Sequence, residues 1–256
     1  MRFILLLTCT FLGSLGIALL VQISRNRELP TSTEGEPGWT EKVAQRAEES
    51  EYAQPLSVLF PPVEKVVRTN IQANLKRLRS TRKCIECNLQ GVDLRDLDLN
   101  RANLAGADLT GADFSGARLI NSTLKAANLT GAKFEKAILQ GANLQDANLT
   151  QASMHRAEML NISLENATLK ETDLRDSELR DSNIKQANLE GANATDASFY
   201  GAVLIGANLV KTNFQNADLR FVNFTDTDLS QANLINANLL YTILPETTGY
   251  HGITPY

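Results

Sequence analysis

From Leu89 to Leu244 the chain repeats every five residues without insertion or deletion. An α-helix needs apolar residues about 3.6 apart and an uninterrupted strand needs alternation by two, and a period of five satisfies neither. Of the 32 positions at this spacing, 23 are Leu and 5 are Phe, and Met154, Met159, Ile184 and Ala194 fill the rest. Two residues before each such centre stands a small residue: Ala at 20 positions, Ser or Thr at 7, and Cys87, Val92, Leu97, Ile162 and Val222 at the others. Asn or Asp lies between the two rows at 20 of 32 positions, and Gly, Asn or Asp stands two residues after the centre, again at 20 of 32.

Two inward residues separated by one outward residue make a short strand-like step. The Gly, Asn and Asp phase supplies a turn whose left-handed residue strains a branched side chain. A step and a corner recurring in this way predict a solenoid, in which stacked coils pair their backbones at strand spacing and the centres form a continuous apolar column. Val92, Leu97, Ile162 and Val222 at the small position are expected to widen their coils. Ala194 at a centre is expected to leave a void that Phe214, twenty residues on, fills in part.

The segment ANLAGADLTGADFSGA, residues 102 to 117, resembles the pentapeptide-repeat family, whose motif is A(D/N)LXX. The resemblance covers about three fifths of the chain. It implies an all-β solenoid: a right-handed quadrilateral β-helix with four repeats and twenty residues per coil. On that geometry the repeats, bounded at 84–245, make about eight coils, a rod roughly 38 Å long at strand spacing.

Residues 3–23 carry no charge over 21 positions, with Arg2 before them and Arg25 and Arg27 after. That length spans a bilayer. Residues 1–24 are therefore expected to be a transmembrane signal anchor, with a cleaved signal peptide as the competing reading. The short N-terminal flank favours a single-pass membrane protein with the repeats on the exported side, periplasmic or lumenal. Five Pro, at 30, 37, 55, 61 and 62, mark residues 25–62 as a linker. Val63, Val66, Val67, Ile71, Leu75 and Leu78 then fall at helical spacing, with Lys65, Arg68, Lys76, Arg77 and Arg79 on other faces. This predicts an amphipathic helix over 63–83. Covering the open apolar end of the first coil is its natural task, and contact with anionic lipid is the alternative.

Cys84 and Cys87 form the chain's single Cys-x-x-Cys and resemble the pair that opens the repeats in many cyanobacterial members of the family. Cys84 occupies a centre and Cys87 a small inward position. Two readings stand: two small buried residues beginning the first coil, or a disulfide, which residues three apart around a corner allow. Zinc needs four ligands as a rule, and the other Cys and His residues are Cys9, His155 and His251, so no metal site and no cofactor is expected. No catalytic set emerges either. The periodic Asn and Asp, including seven Asn-x-Ser/Thr triplets, follow from the repeat.

The outward column 120, 140, 160, 180, 200, 220, 240 reads Ile120, Gln140, Leu160, Arg180, Tyr200, Arg220 and Leu240. It is a candidate interaction stripe, weighed against isolated apolar residues that any surface carries. Phe221, Ile235, Leu240, Tyr241 and Ile243 also depart from polar outward usage, which suggests either a covering tail over 246–256 or a homodimer contact through the last coils. Lys170, Arg175, Arg180 and Lys185 ring one coil among Glu171, Asp173, Asp176, Glu178 and Asp181, and read as a salt-bridged belt. Residues 89–244 hold 13 basic and 19 acidic side chains, a net of −6, which disfavours nucleic acid as a partner.

The chain is therefore read as a non-enzymatic, membrane-tethered scaffold or interaction rod, its protein partner unnamed. The alternatives are a DNA-mimicking inhibitor of a type II topoisomerase, because the family resemblance includes quinolone-resistance proteins, and a redox-responsive protein acting through Cys84 and Cys87.

Overall fold

The computed structural model describes residues 63–246. The predicted anchor and linker lie outside the described residues, as does nearly all of the tail. Among the described residues no helix is long and apolar enough to cross a membrane. Helix α1 runs over Val63–Thr81 and ends two residues before its expected limit. Arg82 takes a left-handed φ of 56° there, and its amide still donates to Leu78 O at 2.8 Å, a common helix stop.

Parallel bridges then join residue n to residue n+20 without a change of register, from Lys83↔Asn103 to Asn223↔Ile243, which makes eight coils. The bridging residue is always the outward one between the two buried rows. Its N–H donates one coil back and its C=O accepts from the centre of that same earlier coil, as in Asn103 N to Arg82 O at 2.8 Å and Cys84 N to Asn103 O at 2.8 Å. The walls are isolated bridges, with no continuous strand among the described residues. Three extended residues are all that a period of five leaves once the corner has taken two.

From Leu89 to Thr242 each corner is a four-residue turn closed from the small residue's amide to the preceding centre's carbonyl, as in Ala112 N to Leu109 O at 2.9 Å. The second corner residue has positive φ at every fifth position from Glu86 to Tyr241 except Gln231. The turn imposes that conformation whatever the side chain, so Arg101, Lys136, Gln151, Phe221 and Tyr241 adopt it beside the Gly, Asn and Asp that favour it. The expected widening does not set the bulky residues apart: the turns closing on Val92 and Leu97 measure 3.4 Å, but so does the one on Ala187, and Ile162 and Val222 close at 3.2 Å as Ala147 and Ala197 do.

Side chains of both inward rows are buried from Cys84 to Leu229 nearly without exception, and Leu97 is partly buried. Phe114 and Phe134, one coil apart, stack with ring centroids 4.7 Å apart. Phe214, one coil on from Ala194 in the same column, is fully buried and meets Phe199 edge to face at 5.4 Å. At the start of the rod Leu75 and Leu78 of α1 join the same core as Cys84, Cys87 and Leu89, and Asn74 Nδ2 donates to Asn88 O at 3.0 Å. The helix thus covers the first coil, while Lys76, Arg77 and Arg79 stay exposed. Near the far end one rung is missing: among the described residues no bridge joins Asn208 to Asp228. That coil has only one coil beyond it to hold its register.

Candidate functional site

The outward Asn and Asp residues have a role that the repeat pattern alone did not disclose. The first corner residue's amide points away from the coil-to-coil ladder and needs an acceptor. At all 20 Asn or Asp positions the side-chain Oδ1 takes the amide two residues on, for example Ala105 N to Asn103 at 3.1 Å and Gln145 N to Asn143 at 3.0 Å. These are Asx turns. Where Arg118 breaks the pattern, Asn100 Oδ1 of the preceding coil reaches Ile120 N at 2.8 Å instead. The polar periodicity is accounted for by backbone satisfaction.

In three Asp-Leu-Arg triplets the same carboxylate also clamps a guanidinium. Arg95, Arg175 and Arg220 each send Nη2 to the second oxygen of Asp93, Asp173 and Asp218 at 2.7 Å, with Nε on the first at 2.8–2.9 Å. Such forked pairs favour the charged form. Hydrogen bonding from Arg95 holds the Asp93 carboxyl down at about 2, and Arg175 and Arg220 hold Asp173 and Asp218 below the ordinary carboxylate range against opposing burial. The belt residues pair mainly within their own wall: Arg180 Nε meets Glu178 at 2.8 Å, whereas Lys170 reaches one coil on to Glu190 at 3.1 Å.

The predicted column is in register, since Asn161 N donates to Arg180 O, Asp181 N to Tyr200 O and Gly201 N to Arg220 O. It is nevertheless not one apolar stripe. Ile120 and Leu160 are half-buried and separated by exposed Gln140, and Arg180 intervenes before Tyr200. Ile120 stands four coils from Tyr200, about 19 Å at strand spacing. Arg180, Tyr200 and Arg220 do come together, lining with Glu178, Ser198 and Asp218 a shallow groove of about 360 Å³. Arg220 Cζ lies over the Tyr200 ring at 5.3 Å from its centroid, and half-buried Leu240 follows in the column.

From Tyr200 the apolar surface steps sideways onto the neighbouring corner. Tyr200 meets Phe221 at 5.1 Å, and Phe221 stacks on Tyr241 at 4.9 Å with 25° between the rings. Phe221 is 47% exposed and Tyr241 67%. Both stand at left-handed corners, with φ of 59° and 62°, a conformation that is a genuine outlier for bulky side chains. The sequence marked both as departures from polar usage. Their union with Tyr200 depends on two residues one place apart in the repeat facing each other across successive coils.

Cys84 and Cys87 are joined in a disulfide with Cα atoms 5.3 Å apart, both buried beneath α1. Half-buried His155 places Nδ1 3.0 Å from Arg175 O and 3.6 Å from Asp176. Among the described residues no three His, Cys, Asp or Glu side chains gather as a metal would require.

A solenoid of twenty-residue coils is the architecture of a repeat protein. Eight copies of the Pentapeptide repeats family match the chain, over residues 87–125, 127–159, 157–196, 182–220 and 212–248. The chain belongs to that family. Its structure is similar to that of QnrB1, a plasmid-mediated fluoroquinolone resistance protein, at 18% identity and a TM-score of 0.56, over 64% of this chain and 86% of that one. It also matches HetL, a pentapeptide repeat protein involved in heterocyst differentiation regulation from the cyanobacterium Nostoc sp. strain PCC 7120, at 26% identity and a TM-score of 0.31, over 67% and 96%. A pentapeptide repeat protein from the Arabidopsis thaliana thylakoid lumen matches at 28% identity and a TM-score of 0.29, over 46% and 69%. At 18% identity the QnrB1 likeness bears on fold alone. A search of curated proteins found no match.

Proposed function

We propose that this chain is a non-enzymatic protein-interaction rod, tethered to a membrane by residues 3–23 with its repeats on the exported side, and that it engages a protein partner along the corner formed by Tyr200, Phe221 and Tyr241. The observation that carries the reading is the pair of exposed, stacked rings on left-handed backbone. A bulky residue at such a position costs on the order of 1–3 kcal/mol of strain, which Gly or Asn would avoid. Aromatic side chains placed there and left in water are what a docking surface uses as anchors. Arg180 and Arg220 beside them supply planar donors at the rim of the groove. The membrane tether rests on the length and lack of charge of residues 3–23.

Affinity capture of the full chain from detergent-solubilised membranes tests the reading. A stoichiometric partner should be recovered with the wild type and lost with Tyr200→Asp or Phe221→Asp, and a reporter fused at residue 256 should read out on the exported side. A cytosolic reporter together with inhibition of DNA supercoiling would replace this reading with topoisomerase inhibition. The mixed charge of the repeats and the aromatic corner favour the protein-interaction rod over that alternative.

A further inference from the structure

The face that α1 turns away from the rod is cationic. Leu75 and Leu78 are buried in one core with Cys84, Cys87 and Leu89, and Asn74 Nδ2 donates to Asn88 O at 3.0 Å, so one side of the helix is fixed on the first coil. At about 100° per residue, Lys76 and Arg77 straddle the direction opposite those two leucines, Ser80 lies along it and Arg79 stands at the flank. All four are exposed, as are Arg82 and Lys83 just past the helix.

Charge is segregated between this end and the coils. Residues 70–83 hold five basic side chains and no acidic one, whereas residues 84–246 hold 13 basic and 21 acidic, a net of −8. Arg82 is engaged by Asp98. Among the described residues Lys76, Arg77, Arg79 and Lys83 enter no ion pair. Lys76 and Arg79, three apart on the helix, face like charge, which destabilises a helix unless an outside anion neutralises it. Flexible cations on a convex helix hold no fixed donor geometry for one built ligand, and they suit a plane of many phosphates.

We propose that the outward face of α1 lies on anionic lipid headgroups, so that the rod stands end-on to the membrane. Cys84 opens the first coil and Phe221 falls in the seventh, six coils or about 29 Å further along at strand spacing. With the helix about 10 Å thick, the aromatic corner is held about 40 Å from the headgroups. The inference draws on the membrane reading for its lipid surface and not on what binds at Tyr200.

The full chain in lipid nanodiscs tests the orientation, with a fluorophore at position 80 or, as reference, at position 230 in the last coil, and a headgroup nitroxide lipid as short-range quencher. Each cation beside an anionic surface changes the docked-to-free ratio about fivefold, and three change it on the order of a hundredfold. Position 80 should therefore be quenched about twofold or more strongly in discs containing one third phosphatidylglycerol than in phosphatidylcholine alone. High salt should abolish the difference. The triple variant Lys76→Gln/Arg77→Gln/Arg79→Gln should abolish it too with circular dichroism unchanged, while position 230 stays unquenched throughout. Equal quenching in the two lipids, an unaffected triple variant, or strong quenching at position 230 would overturn the proposal. Equal quenching together with salt-sensitive capture of an acidic protein would assign the face to that protein instead. Failure of the membrane anchor reads out separately, as loss of the chain from neutral discs on gel filtration. Association with anionic discs that the triple variant loses would still uphold the face.

Discussion

Phe221 stacks on Tyr241 with ring centroids 4.9 Å apart, and the backbone beneath both rings is left-handed. The arrangement opposes two energies of similar size. The stacked pair contributes about 0.5–1.5 kcal/mol beyond its buried area, and each left-handed bulky residue costs about 1–3 kcal/mol. Phe221→Asn, which relieves the strain and removes the ring, is therefore expected to leave stability within about 1 kcal/mol of the wild type or to raise it. The same change should remove binding of the partner. Urea denaturation beside affinity capture measures both, and a large loss of stability would show the ring to be structural.

The Asx turns give a second expectation. Asn143→Ala removes the acceptor for the Gln145 amide, 3.0 Å away, and should cost about 1 kcal/mol. Asn143→Asp keeps the oxygen and should recover most of that. Equal losses for the two variants in chemical denaturation would mean that the side-chain acceptor is immaterial.

Two serines at the small inward position stand apart from their neighbours. Thr172 and Thr212 donate to the carbonyls of Leu149 and Leu189 at 2.9 Å, whereas the buried hydroxyls of Ser122 and Ser182 have no partner among the described residues. A buried hydroxyl without a bond costs about 1–3 kcal/mol, and Ala is the commonest residue at this phase. Ser122→Ala and Ser182→Ala should each stabilise by about 1 kcal/mol and, being three coils apart, should add. Thr172→Ala should not stabilise. Thermal unfolding of the single and double variants decides, and a loss on Ser122→Ala would contradict the assignment.

Acid should weaken the rod. Asp93, Asp98, Asp173, Asp218 and Asp228 titrate below the ordinary 3.8, chiefly because Arg95, Arg82, Arg175, Arg220 and Ser230 donate to them. Burial pushes Asp108 and Asp113 up, and hydrogen bonds led by Thr110 and Ser115 outweigh it, so these too are lowered. With folded values below unfolded ones, the unfolded chain binds more protons in acid. The contribution is complete above the ordinary value and lost as pH falls through the lowered ones, down to about 2 at Asp93. Urea midpoints should hold steady down to about pH 4 and decline below it. A midpoint that rises on acidification would reverse the sign of the account.

The fold was legible because a solenoid interior is one-dimensional. A residue's place in the five-residue period decides whether it faces the axis, so Leu89 and Leu219 could be assigned to the same core without knowledge of their neighbours. The wall was less legible. Whether Arg180, Tyr200 and Arg220 meet depends on the twenty-residue coil, which came from the family resemblance, and the step from Tyr200 to Phe221 crosses between columns that a single-column reading keeps apart. The purpose of Asn103 and its counterparts lay in an orphan backbone amide, a group that side-chain periodicity does not record. For Cys84 and Cys87 the repeat phase placed both inside, and burial alone left two small residues and a disulfide equally compatible with it.

The central claim is that the aromatic corner is where a partner docks. Photo-crosslinking in native membranes, from a reactive group placed at position 221 of the full chain, tests it most directly, with position 133 on an uninvolved wall as reference. A discrete adduct of one size from position 221, lost on Tyr200→Asp and absent from position 133, is the predicted result. Equal adducts from both positions, or none from position 221, would contradict it.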